Sequence, residues 1–111
     1  SNLSAIVCYT SSGATALRVS RERPAAPLVV VSPVRATARR LALAWGLHCV
    51  VSPDARDVDD MVDCACAVAF EEKFARPGQR LITLAGIPFG TPGATNLLRV
   101  AYVSDDGRGG S

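Results

Sequence analysis

The stretch Leu28-Val29-Val30-Val31-Ser32 decides the fold. Four consecutive apolar residues without polar alternation predict a strand that is covered on both faces, as at the centre of a parallel sheet. Pro24 and Pro27 precede this run, and Ser32-Pro33 follows it. We therefore expect a central strand over residues 28–32 in an α/β protein.

The residues that follow predict a helix, a strand and a second helix. Apolar residues at spacing i, i+3, i+4 and i+7 (Ala38, Leu41, Ala42 and Trp45) predict a helix over residues 35–45. We expect Ser32 to cap its start, Gly46 to end it and Trp45 to lie in the core. Residues 47–52 then predict the third strand, and residues 57–74 the third helix.

The remaining segments complete a repeating strand–helix pattern. Residues 5–10 predict the first strand, 13–23 the first helix, 80–86 the fourth strand and 97–103 the last strand. Repeated β-α units require right-handed crossovers and a parallel sheet, whereas the last two strands are joined without a helix. We therefore predict a three-layer α/β/α sandwich with a five-stranded, mostly parallel sheet of order 3-2-1-4-5, the last strand antiparallel.

Composition limits the domain count and the class of function. The chain has 111 residues, of which 49% are apolar and 20% charged, so disorder is excluded and one well-buried domain is expected. We assign this domain to residues 3–103, with residues 1–2 as a cloning remnant and 104–111 as a flexible tail. A single histidine, His48, and a single lysine, Lys73, argue against a self-contained enzyme.

Charge and cysteine usage indicate which partners to expect. The formal net charge of +2 gives no electrostatic case for nucleic acid or an anionic membrane, and no apolar run approaches a membrane span. Cys64 and Cys66 form C-x-C, which suits neither a zinc knuckle nor a redox pair, so we interpret the cysteines as reduced, buried and without metal. His48, inside an apolar strand, is interpreted as structural.

The predicted strand order reverses between strands 1 and 4, where ligands bind in open α/β sheets. Two loops rich in Gly, Ser and Thr should meet there, one over residues 10–15 and one over residues 86–96. Hydroxyls and unpaired N–H groups at a helix N-terminus suit a phosphate group. The candidate binding residues are Thr10, Ser11, Ser12, Gly13 and Thr15 in the first loop and Gly90, Pro92, Gly93, Ala94 and Thr95 in the second.

Two features weigh against this pocket. The first loop alone is equally typical of a helix cap with a tight turn. Neither loop contains Lys or Arg, so the neutralising charge has to come from elsewhere, such as Arg18 or Arg99. Three further arginines, Arg35, Arg39 and Arg40, are interpreted as a solvated helix face or an intersubunit contact.

Several motifs, taken in order, resemble one known family. They are Thr10-x-Ser12-Gly13-x-Thr15-Ala16, Thr37-Ala38-Arg39-x-Leu41 and Gly90-x-x-Gly93-x-Thr95-Asn96-x-x-Arg99-Val100. Together they make residues 3–103 similar to the C-terminal domain of pyruvate kinase, in its bacterial form.

This resemblance implies a non-catalytic part of a phosphotransferase. In that cytoplasmic family, phosphoryl transfer from phosphoenolpyruvate to ADP, with Mg²⁺ and K⁺, takes place in a separate (β/α)₈ barrel. The C-terminal domain itself holds no catalytic residue and no cofactor. It contacts the barrel domain and neighbouring subunits of a homotetramer, and it binds a phosphorylated small-molecule effector at loops corresponding to residues 10–15 and 89–96.

Departures from the family pattern affect the choice of effector. Members that bind fructose 1,6-bisphosphate often carry a basic residue in the first loop and Trp-Arg-Pro-Gly in the second. Here those positions hold Ser11, Ala14 and residues 87–90, which favours a monophosphate such as AMP or ribose 5-phosphate. Two alternatives stay open: a stand-alone phosphate-ligand sensor or oligomerisation module without a barrel, and a small enzyme that acts on a phosphorylated substrate.

Overall fold

The computed structural model describes residues 3–87, 95–107 and 109–110. Its elements, in chain order, are β1 (Leu3–Tyr9), α1 (Ala14–Arg21), β2 (Leu28–Ser32), α2 (Arg35–Trp45), β3 (His48–Val51), α3 (Val58–Glu71), β4 (Arg80–Ile87), β5 (Thr95–Val103) and β6 (Gly109–Gly110).

The strands form one mixed sheet of order β3-β2-β1-β4-β5-β6. The pairs β1–β2, β2–β3 and β1–β4 are parallel, and β4–β5 is antiparallel. The predicted order 3-2-1-4-5 with an antiparallel last strand is thus confirmed. The structure adds β6, antiparallel to β5, within the segment that we expected to be a flexible tail. Gly107, in the same segment, is buried against the ring of Phe70.

Helices cover the sheet on both faces and divide the core in two. Alternation along β1 places Ala5, Val7 and Tyr9 in the larger cluster, which packs under α3. Cys8 points the other way, into a smaller cluster with Ala16 of α1 and Leu41 of α2. The middle residues of β2, Val29–Val31, are fully buried, as the unbroken apolar run predicted.

The start and the end of α2 differ from expectation. The N-cap residue is Val34 rather than Ser32, whose Oγ instead accepts a hydrogen bond from the Val34 N–H at 3.1 Å. Trp45 is 57% exposed, so its predicted place in the core was wrong. The helix buries only Thr37, Ala38 and Leu41. The edge strand β3 has four residues, and the last turn of α2 buries no side chain against it.

Thr83 of β4 carries a fully buried hydroxyl group, whose Oγ1 has no hydrogen-bond partner among the described residues. Because an unpaired buried hydroxyl is costly, we expect Thr83→Val to raise the free energy of unfolding by about 1 kcal/mol. Urea unfolding followed by circular dichroism measures this change. Thr37→Val is the matched control and should destabilise the domain, since the Thr37 hydroxyl donates a hydrogen bond. A loss of stability in Thr83→Val would contradict this interpretation of Thr83.

Candidate functional site

The loop between β1 and α1 lies at the carboxyl edge of the sheet and is held by its own first residue. Thr10 is fully buried, and its N–H donates to the Val31 carbonyl of β2 at 3.0 Å. Its Oγ1 accepts a hydrogen bond from the Gly13 N–H at 2.9 Å. Gly13 has a φ of 94°, a left-handed conformation that favours glycine. Thr10 and Gly13 therefore set the turn that starts α1.

Two side chains of α2 hold the same loop from the other side. Thr37 Oγ1 donates to the Ser11 carbonyl at 2.7 Å, and Arg40 Nη2 donates to the Ser12 carbonyl at 2.5 Å. Arg40 also lies close to Gly13, where an added Cβ would be 3.2 Å from its Nη2. The guanidinium of Arg40 thus lies against the loop. It has further N–H donors that the hydrogen bond to the Ser12 carbonyl does not use.

The first loop also contacts the end of β4. A Cβ added at Gly86 would lie only 1.8 Å from Oγ1 of Thr15, so the Thr15 side chain rests directly on the glycine backbone. This places the first loop beside the segment that leads into the predicted second loop. Ser12 is exposed, and its Oγ accepts a hydrogen bond from the Ala14 N–H at 3.3 Å.

Most of the second predicted loop lies outside the described residues. This applies to Gly90, Pro92, Gly93 and Ala94. Thr95 begins β5, where it pairs with Ile87 of β4 in the sheet register. All five predicted residues of the first loop lie together, at the point where the strand order reverses between β1 and β4.

The cation at the loop is Arg40, not one of the two arginines that sequence analysis named for that role. Arg18 lines a groove of about 300 Å³ between α1 and the β4–β5 pair, which it shares with Thr15. Arg99 lies opposite Thr83 in the sheet. Both residues are on the same side of their strands as the positions that pack under α3, so Arg99 is on the α3 face of the sheet. The predicted topology could have indicated Arg40. Because α2 follows β2, and β2 is the neighbour of β1, the first turns of α2 pass beside the β1–α1 loop.

Comparison with known proteins gives the family. A family model described as pyruvate kinase, alpha/beta domain, matches residues 1–101. The chain belongs to the pyruvate kinase α/β domain family. The resemblance drawn from the spaced motifs is therefore confirmed.

The relatives of this pyruvate kinase domain include bacterial enzymes. The chain is 50% identical over 103 residues to pyruvate kinase of Methylorubrum extorquens, an alignment that covers 93% of the chain and 22% of that protein. It is 38% identical over 104 residues to pyruvate kinase of Geobacillus stearothermophilus, covering 94% of the chain and 18% of the relative. The chain thus spans about a fifth of the length of these relatives.

A solved structure shares the fold. The chain superposes on Cryptosporidium parvum pyruvate kinase in complex with ADP with a TM-score of 0.75 and 27% identity. The match covers 91% of the chain and 20% of that protein.

Burial favours the protonated thiol at Cys8, Cys49 and Cys64. All four lie in the described part of the chain, and none is in a disulfide. Burial raises the pKa of Cys8 to about 12, and it also raises the pKa of Cys49 and of Cys64. A protonated thiol is a poor nucleophile and a poor metal ligand. No cluster of His, Cys, Asp or Glu in residues 3–87, 95–107 and 109–110 could hold a metal ion.

His48 begins β3, within the strand that the sequence predicted, and its side chain lies at the surface. Its Nε2 is 2.7 Å from Glu72 Oε1, and its ring meets the Phe74 ring edge-on with centroids 5.0 Å apart. These contacts join β3 to the end of α3, which agrees with a structural histidine. Among the helices that the structure describes, none is long and apolar enough to cross a membrane.

Proposed function

We propose that this chain is the regulatory and subunit-contact domain of a cytoplasmic pyruvate kinase. In the whole enzyme, a separate barrel would transfer the phosphoryl group of phosphoenolpyruvate to ADP, with Mg²⁺ and K⁺. The bacterial relatives, which are named pyruvate kinase and are about five times longer, support this assignment. Family membership also favours it over a stand-alone sensor or a small enzyme.

The regulatory part of the proposal rests on one observation: the contact of Arg40 with the β1–α1 loop. The start of α1 offers backbone N–H groups and the positive end of the helix dipole. Ser12 adds an exposed hydroxyl group, and Arg40 adds a full positive charge at the same point. This combination of donors suits the phosphate group of a small effector.

A monophosphate fits this site better than a bisphosphate. Arg40 is the one cation with a hydrogen bond to the loop among the described residues. Residues 10–15 themselves contain no Lys or Arg. A second phosphate group would need another cation, and Arg18 lies further along α1, on the groove towards β4 and β5. We therefore propose AMP or ribose 5-phosphate as the effector class.

Isothermal titration calorimetry of the 111-residue chain tests the effector proposal. AMP, ribose 5-phosphate and fructose 1,6-bisphosphate are titrated separately, with circular dichroism as the check of the fold. Saturable binding of a monophosphate, tighter than that of the bisphosphate, is the expected result. A folded chain that binds none of the three would overturn the effector site and leave only the subunit-contact role.

The exposed face of β5 supports the subunit-contact part of the proposal. Leu98, Val100 and Tyr102 alternate along the strand, away from the α3 side, and are 59%, 46% and 44% exposed. On that face α1 packs on β1 and β4 and α2 packs on β2 and β3, while Leu98 lines the groove between α1 and the β4–β5 pair. A row of exposed apolar side chains on a sheet is typical of a protein–protein contact. We propose that a second subunit covers it.

We expect Val100→Glu to weaken self-association of the chain strongly. A carboxylate at the centre of the apolar strip would be buried unpaired in the contact, which weakens association by a factor of at least roughly 100. Analytical ultracentrifugation across a concentration series measures the change. Leu43→Glu is the matched control, because Leu43 is 84% exposed and lies on α2. Equal self-association of the wild type and Val100→Glu would contradict this assignment of the contact.

A further inference from the structure

A second concave region lies where α3 ends, at the edge of the sheet opposite to the β1–α1 loop. It is a cavity of about 850 Å³, within the range of roughly 300–1,000 Å³ that is usual for small-molecule sites. The residues that matter for its chemistry are Phe70, Glu71, Lys73, Phe74, Arg76 and Gln79.

Two phenylalanine rings give the cavity an apolar, aromatic wall. Phe74 is held by the edge-on contact with His48. Phe70 is 38% exposed and is backed by Gly107, where an added Cβ would be 2.6 Å from the ring. Each ring thus has one close packing neighbour, and flat apolar groups stack favourably on such rings.

The cavity also has an excess of positive charge. Lys73 and Arg76 line it together with one carboxylate, that of Glu71. Neither Lys73 nor Arg76 forms a side-chain ion pair with another described residue. Gln79 is engaged locally, because its Oε1 accepts a hydrogen bond from the Arg76 N–H at 2.7 Å. The two cations are thus available to a negatively charged ligand.

Lys73 occupies an unfavourable backbone conformation. Its φ is 66°, directly after the C-cap residue of α3, where glycine is the usual residue. Lys73 is also the only lysine in the sequence. A glycine there would relieve the strain but would remove a charge from the cavity. Arg23 has a φ of 49° at the same position after α1, and it lies outside the residues that line this cavity.

We propose that this cavity binds a small aromatic carboxylate. The ring of the ligand packs against Phe70 and Phe74, and its carboxylate pairs with Lys73 and Arg76. This site is separate from the β1–α1 loop, so it does not depend on the proposed effector function.

The test uses 1-naphthoate as the probe and its neutral analogue 1-naphthalenemethanol as the ligand control. Both are titrated into the ¹⁵N-labelled chain, and the amide shifts are mapped. We expect 1-naphthoate to shift amides of residues 70–79 and to bind at least roughly fivefold more tightly than the alcohol. Equal binding of the two compounds, or shifts confined to other residues, would overturn the proposal.

Matched variants separate binding from stability. Lys73→Gly should raise the melting temperature by about 2–5 °C, because glycine relieves the strain, and it should weaken 1-naphthoate binding roughly fivefold. Arg23→Gly should raise the melting temperature similarly and leave 1-naphthoate binding unchanged. Lys73→Gln, which keeps a side chain, should weaken binding without the gain in stability. If Lys73→Gly and Lys73→Gln both bind 1-naphthoate as tightly as the wild type does, the role of Lys73 is overturned.

Discussion

Replacing Gly86 with alanine is expected to lower the free energy of unfolding by about 3 kcal/mol. The new Cβ would lie 1.8 Å from Oγ1 and 2.9 Å from Cβ of Thr15, and no two non-bonded heavy atoms tolerate the first distance. Either α1 must move away from the sheet or the end of β4 must bend. Urea unfolding followed by circular dichroism gives the change in stability.

Two further variants show whether this contact is the cause. In a Thr15→Ala background, Gly86→Ala should cost only about 1–2 kcal/mol, because the hydroxyl that clashes is gone and only the 2.9 Å approach of the two Cβ atoms remains. Gly78→Ala is the backbone control: it has a φ of 86° and open space around it, so it should cost about 1 kcal/mol from strain alone. If Gly86→Ala costs the same in both backgrounds, Thr15 does not rest on Gly86 and the site geometry is wrong.

The second large effect concerns ligand binding. We expect Arg40→Gln to weaken the binding of ribose 5-phosphate by a factor of roughly 10–100, because a charge-assisted hydrogen bond to the phosphate is lost. The amide of glutamine is shorter and neutral, so it also gives up the contact with the Ser12 carbonyl that holds the loop. Calorimetry of the folded variant measures the affinity.

Arg39 provides the matched control for charge. It is exposed, is the neighbour of Arg40 in sequence, and lines a groove beside β3 with Arg35 and Cys49. Arg39→Gln removes the same charge from the chain and should leave the affinity within about twofold of the wild type, because screening weakens charges at a distance. Equal losses in both variants would mean that Arg40 acts only through the net charge.

Much of the fold could be predicted because hydrophobic periodicity reports burial directly. The run over residues 28–32 has no polar alternation, and Val29–Val31 are fully buried in the middle of the sheet. The helix predicted over residues 35–45 has those bounds in the structure. The missing helix between the last two predicted strands indicated the antiparallel pair β4–β5.

The features that escaped prediction depend on contacts between distant segments. Trp45 has the periodicity of a core residue, yet the last turn of α2 buries no side chain. Arg40 has the sequence context of a solvated helix face, and only the packing of α2 beside the β1–α1 loop brings it to Ser12. The strand β6 consists of two glycines, which carry no propensity signal for a strand.

Backbone amide mapping with ribose 5-phosphate tests the central claim most directly. The ¹⁵N-labelled chain is titrated to saturation, and the shifts are followed for all assigned amides. If the β1–α1 loop binds the phosphate group, the largest shifts fall on residues 11–16, with a smaller response at Thr37 and Arg40 of α2. Shifts confined to the region after α3, or the absence of shifts in a folded chain, would contradict the account.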